Sequence, residues 1–168
     1  MDNDERLLRL KKDFRLLERN VLLLIAIPLS FFAFAYLYST SDTLSFDLPV
    51  LPPVLAYLGL GTVAVLLVMQ QVAFERRIQL VKKSDSELHE RVKRYAQATF
   101  LRYWQLFWVG VISALGLFLY DNPGFTIGYA LTLLFVSLGK PTPHRIVTAL
   151  QLTKGDKDLV YQINKRED

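Results

Sequence analysis

Cysteine is absent from the 168 residues. Its absence excludes a disulfide framework, a thiolate metal site and a cysteine nucleophile. Histidine is nearly absent: His89 and His144 stand alone in separate basic segments. A metal site needs several ligands at suitable spacing, so both read as surface residues and no metal or other cofactor is expected. A Gly-rich phosphate loop is missing too. Gly59-Leu60-Gly61 lies in an apolar run with no lysine behind it, and such a loop needs one. The most informative absence is of charge. Four long stretches contain no Asp, Glu, Lys or Arg, although one residue in five of the chain is charged. Charge-free apolar runs of this length mark membrane spans.

The four runs are residues 21–38, 54–74, 103–120 and 124–139. A helix needs about 20 residues to cross a hydrocarbon core of roughly 30 Å. The first three qualify with their flanks, whereas the fourth is short and must thin the bilayer or borrow length from Asn122 and Gly139. Strands that cross membranes alternate in polarity and are about half as long, so helices are expected. The fold class is therefore all-α: a four-transmembrane-helix bundle with amphipathic cytoplasmic helices. It divides into an amphipathic helix over 1–20, a transmembrane domain over 21–139 with an inner loop at 75–102, and a tail over 140–168. Pro28 should kink the first span, while Pro52 and Pro53 precede the second, where proline costs no helix hydrogen bond.

Basic residues confine the topology. All Lys and Arg fall at 6–19, 76–102 and 140–166, while the connections 39–53 and 121–123 carry only Asp42, Asp47 and Asp121. Basic residues near spans stay in the cytoplasm, so four crossings with both termini inside are expected. The net charge of +4 is explained by this placement, and no nucleic acid is expected as a partner. Tyr103, Trp104 and Trp108 at one boundary and Tyr36, Tyr38 and Tyr120 at the other suit the headgroup zones. The chain begins Met-Asp-Asn-Asp-Glu, unlike a cleaved signal peptide, and lacks glycosylation sequons. A bacterial inner membrane is the expected location.

The flanks are amphipathic. Leu7, Leu10, Phe14, Leu17 and Val21 recur at three- and four-residue spacing, giving a helix that lies on the inner membrane surface or continues the first span inward. It is either a partner-docking helix or a lipid-surface helix. The inner loop reads as two helical extensions around residues 84–86, with Ser84 and Glu87 at capping-box spacing. Its Arg76, Arg77, Lys82, Lys83, Arg91, Lys93 and Arg94 are candidate contacts for lipid headgroups or a partner, although keeping the loop inside accounts for them equally well. In the tail, Thr142 before Pro143 should cap a short helix with an apolar face of Ile146, Ala149, Leu150 and Leu152. Lys154-Gly155-Asp156 looks like a stop, followed by an apolar cluster of Leu159, Val160, Tyr161 and Ile163. The tail is too short for its own core. Those residues need cover from the bundle's inner face, a second copy or another protein, and the tail's acidic residues argue against lipid as that cover.

Small residues mark helix packing. Gly110 and Ala114, and Gly124, Gly128 and Thr132, recur every four residues, a spacing that lets helices approach closely in lipid. The short Asp-Asn-Pro-Gly link makes an antiparallel hairpin of the last two spans. Glu75 and Arg102 sit at inner ends, where they can snorkel to the interface. With no charge inside the spans, a proton-coupled pump is disfavoured, and no acid–base pair stands out. The expected function is a non-catalytic accessory or scaffolding subunit of a larger membrane complex. The alternatives are a small homo-oligomeric channel or membrane-disrupting effector and, third, a four-helix lipid-modifying enzyme. The expected partners are the lipid bilayer and either other membrane subunits or further copies of the chain.

Overall fold

The computed structural model describes residues 3–41, 51–83, 88–140 and 142–152, together with 155, 157, 160 and 161. Among these the structure is all-helical, with α1 (Asn3–Ser39), α2 (Pro53–Lys82), α3 (Leu88–Tyr120), α4 (Pro123–Gly139) and α5 (Pro143–Leu150). Three helices are long and apolar enough to cross a membrane: the Lys11–Ser39 part of α1, α2 and α3. The 17 residues of α4 rise about 25 Å, less than a full hydrocarbon core. The proposed cap of Ser84 on Glu87, the loop aspartates Asp42 and Asp47, and the side chains of Leu7, Leu10, Leu159 and Ile163 lie outside the described residues.

Of the two placements open to the N-terminal amphipathic segment, α1 adopts the second: segment and span form one 37-residue helix. Its basic end projects beyond the apolar run, with Phe14 and Leu17 buried and Leu8 and Leu16 exposed. Pro28 lies inside this helix and is buried against Gly110 of α3, where an added Cβ would come within 2.7 Å of the Pro28 ring.

The most buried helix is α3. It packs against α1, α2 and α4, while α2 also meets α4. At the end away from the basic segments, the loop end, Phe125 of α4 is 1 % exposed. Its ring is wedged between Gly116 of α3 and Gly59 of α2, where added Cβ atoms would stand 2.2 and 3.2 Å from it. The turn from α3 into α4 is closed locally. Asp121 takes a left-handed conformation (φ 48°), which Asp tolerates better than most residues. The Asn122 side chain then accepts from the Gly124 N–H at 2.8 Å, with Pro123 at the first helical position. The Ser39 hydroxyl at the end of α1 donates to the Asp121 carboxylate, which ties α1 to this turn.

At the basic end the helices continue past their apolar runs and build a second core. Phe14 of α1, Ile78 and Val81 of α2, and Val92, Tyr95 and Ala98 of α3 enclose Ile146, Val147, Leu150, Leu152 and Val160. Leu150 and Val160 have no exposed surface. Among the described tail residues, Ile146, Leu150, Leu152 and Val160 therefore find their cover on this chain's own helical extensions, whereas Tyr161 stays exposed. Thr142 caps α5 by accepting from the Arg145 N–H at 3.3 Å. The helix stops earlier than the Lys154-Gly155-Asp156 signal predicts, at Gln151, whose left-handed φ of 49° turns the chain so that Leu152 rejoins the core. Helices often end on an αL residue, most commonly glycine; here that position is held by a glutamine between the buried Leu150 and Leu152.

Candidate functional site

The most unusual chemistry lies where the two cores meet. Arg102 is 18 residues from the loop end of α3, about 27 Å, and Gln70 is 17 residues from the loop end of α2, about 26 Å, at 1.5 Å per residue. Gly139, the last residue of α4, is at nearly the same height. These residues form one polar layer across the bundle. Arg102 is 8 % exposed and Gln70 is fully buried. The Arg102 Nε–H donates to Gln70 Oε1 at 2.8 Å, a terminal N–H donates to Gln71 Oε1 at 3.2 Å, and the guanidinium lies 4.8 Å from the centre of the Phe74 ring. The Gln71 amide donates in turn to the Glu75 carboxylate at 2.7 Å. A chain of hydrogen bonds thus links the buried cation to an exposed carboxylate.

This corrects the expectation that Arg102 snorkels to the interface. Its side chain turns into the bundle, because three partners on one face of α2, Gln70, Gln71 and Phe74, offer acceptors and a ring face for the planar guanidinium. Glu75 does remain exposed.

The short α4 supplies a further reason for a cation here. Its last carbonyls carry the negative end of the helix dipole and have no helical partners. The Tyr103 hydroxyl, on a side chain 1 % exposed, donates to the Val136 carbonyl at 3.0 Å. A Cβ added to Gly139 would meet that hydroxyl at 3.3 Å and the Arg102 guanidinium carbon at 3.4 Å. Tyr103 therefore satisfies a carbonyl in the last turn of α4, and the Arg102 guanidinium lies beside that end. The Gln70 amide nitrogen is buried without a partner among the described residues. The layer holds a cation, two amides and a phenol, but no nucleophile beside a base. Among the described residues, no three His, Cys, Asp or Glu side chains gather at one place.

The small residues singled out from sequence are distributed over several contacts. Gly110 faces Pro28 of α1 and Tyr129 of α4. Ala114 is buried on the side of α3 that lines a groove with α1. Gly124 faces Leu60 of α2, and Gly128 faces Val63 of α2 and Ser113 of α3. Thr132 is buried and donates its hydroxyl to the Gly128 carbonyl. Sequence reasoning passed over Gly116 and Phe125, which make the tightest α3–α4 approach, because Gly116 is out of step with the four-residue spacing. It also passed over Gln70-Gln71, although two amides in an apolar run are a legible signal of a polar contact.

The seven basic residues of the inner loop part company. Arg91 donates to the Leu150 carbonyl at 2.6 Å and so holds the end of α5. Arg94 pairs with Glu90 one turn away at 2.6 Å. Arg76, Arg77, Lys82, Lys83 and Lys93 are exposed. No protein-family model matches the chain, and neither a curated protein nor a solved structure matches it significantly.

Proposed function

We propose that the chain is a four-span protein of the bacterial inner membrane with both termini in the cytoplasm, acting as a non-catalytic accessory or scaffolding subunit of a larger membrane complex. The observation that carries the subunit reading is a sideways groove of about 390 Å³ between α1 and α3 in the loop-end half. Its floor is Ala35 and Ala114, both small and buried, and its rim is the exposed Phe31, Phe34 and Leu115. Small residues flanked by large apolar ones accept a neighbouring transmembrane helix at close range. Arg102, Gln70, Gln71 and Tyr103, by contrast, bond helix to helix, which supports a structural role for this layer over chemistry.

Ala114→Trp fills this groove from the floor. In mild detergent, the wild type should co-purify with unrelated membrane subunits and the variant should lose them while keeping its helix content. A closed homo-oligomer in place of those subunits would favour the channel reading, and an unchanged composition would remove the groove from the argument. Topology has its own test. Reporters at Ser41 and Asn122 should register outside, and reporters at Ser86 and the C-terminus inside, because every basic segment lies on one side. A cytoplasmic signal at Ser41 would replace the four-span arrangement with hairpins dipping into one leaflet.

A further inference from the structure

A second groove, of about 460 Å³, runs between α1 and α3 on the basic side of the polar layer, with Arg77 of α2 reaching its edge. Its floor is apolar. Phe14, Leu17 and Val92 are buried there, and Phe100 and Leu101 line the end next to Arg102. Its rim is polar, with Arg77 and Lys93, opposed by Asp13. All three are exposed, and neither cation forms an ion pair among the described residues. The groove is thus amphiphilic along its length.

Its depth identifies the occupant. Measured from the loop ends of their helices at 1.5 Å per residue, Leu101 and Phe100 lie at about 29 and 30 Å, whereas Arg77 lies at about 36 Å and Lys93 at about 40 Å. With the hydrocarbon core taken to begin at those loop ends, its roughly 30 Å ends at Leu101 and Phe100. The Arg77 backbone falls about 6 Å beyond that end, within the headgroup layer, and Lys93, about 10 Å beyond it, can reach back into that layer with its long side chain. We propose that this groove is a binding site for one anionic phospholipid of the inner leaflet: its phosphodiester lies between Arg77 and Lys93, and an acyl chain enters past Phe100 and Leu101. Basic pockets at this depth recognise anionic headgroups. The groove also selects among the exposed cations of the loop, since Arg76, Lys82 and Lys83 do not line it. This inference rests on the membrane reading and is independent of the subunit reading.

The test uses the purified full chain in nanodiscs of phosphatidylcholine, titrated with spin-labelled phosphatidylglycerol that quenches Trp104 and Trp108. Arg77→Gln/Lys93→Gln should weaken phosphatidylglycerol binding about tenfold or more, the scale of two basic residues near anionic headgroups. The charge-matched Arg76→Gln/Lys82→Gln should change it less than about twofold. Ala96→Trp, which fills the groove without altering charge, should abolish saturable binding. Soluble glycerophosphate should not compete. Equal losses in the two charge variants would reduce the effect to diffuse surface charge and overturn the site. Retained binding in Ala96→Trp, or competition by glycerophosphate, would overturn the acyl-chain part. A photo-crosslinker at Gln97 that captured a protein instead of lipid in native membranes would assign the groove to a partner helix and overturn it as well. Failure of the membrane reading would appear separately, as a wrong-side signal from the topology reporters, and would overturn the inner-leaflet site as well.

Discussion

Gly116→Ala is expected to lower the thermal unfolding midpoint of the detergent-purified protein more than any other glycine-to-alanine change at the loop end. Three atoms of the Phe125 ring lie within 2.4 Å of where the new Cβ would stand. The ring cannot yield easily, because it is 1 % exposed and the same ring edge that would meet the methyl already rests on Gly59. Forcing the methyl in must separate α3 from α4 or swing the ring off Gly59. Overpacking of this kind costs about 1–3 kcal/mol, and the upper end is expected here. In a Phe125→Leu background the same change should cost less than about 1 kcal/mol, since the clashing ring atoms are gone. Gly128→Ala should rank between, because only the tip of Val63 stands in its way, at 2.8 Å. Gly61→Ala meets nothing within 4 Å and should be neutral or slightly stabilising. Equal shifts for Gly116→Ala and Gly61→Ala would show that the Phe125 wedge does not hold the bundle together.

The second large effect belongs to the polar layer. Gln70→Leu should cost about 3 kcal/mol, because it strands the Arg102 guanidinium among apolar groups with one of its two acceptors removed. Arg102→Leu should also destabilise, by leaving both glutamine oxygens without their donor and the end of α4 without a cation. The double change Gln70→Leu/Arg102→Leu should be distinctly more stable than the sum of the single effects predicts. Replacing both members of a buried polar pair by apolar residues removes the unpaired group that each single change creates. Tryptophan fluorescence melting of the four proteins closes this cycle, and strict additivity would mean that Arg102 and Gln70 act independently. The outcome bears on function because the layer fixes the height of α2, α3 and α4 against one another. Both proposed grooves are framed by α3, one on either side of this layer.

Much of the architecture was legible in the sequence because it follows from local composition. A charge-free run of 18 apolar residues can satisfy its backbone only as a helix. Proline after Pro52, Asn122 or Thr142 can only begin one. Those rules set the order of the apolar helices and the starts of α2, α4 and α5 and, through the basic segments, the expected topology. Tertiary structure decided the rest. Arg102 at the edge of an apolar run can face water or the bundle, and nothing within its own helix distinguishes the two. The choice falls to Gln70, Gln71 and Phe74, some thirty residues earlier, and to the end of α4, some thirty-five later. The tail likewise shows its need for cover in Leu150 and Val160, but the cover is a pocket assembled from α1, α2 and α3. Gly116 follows no repeat, so only the arrival of Phe125 from the next helix makes it indispensable. In each case the deciding term is a contact between residues far apart in the chain, and its energy exists only once the helices have packed.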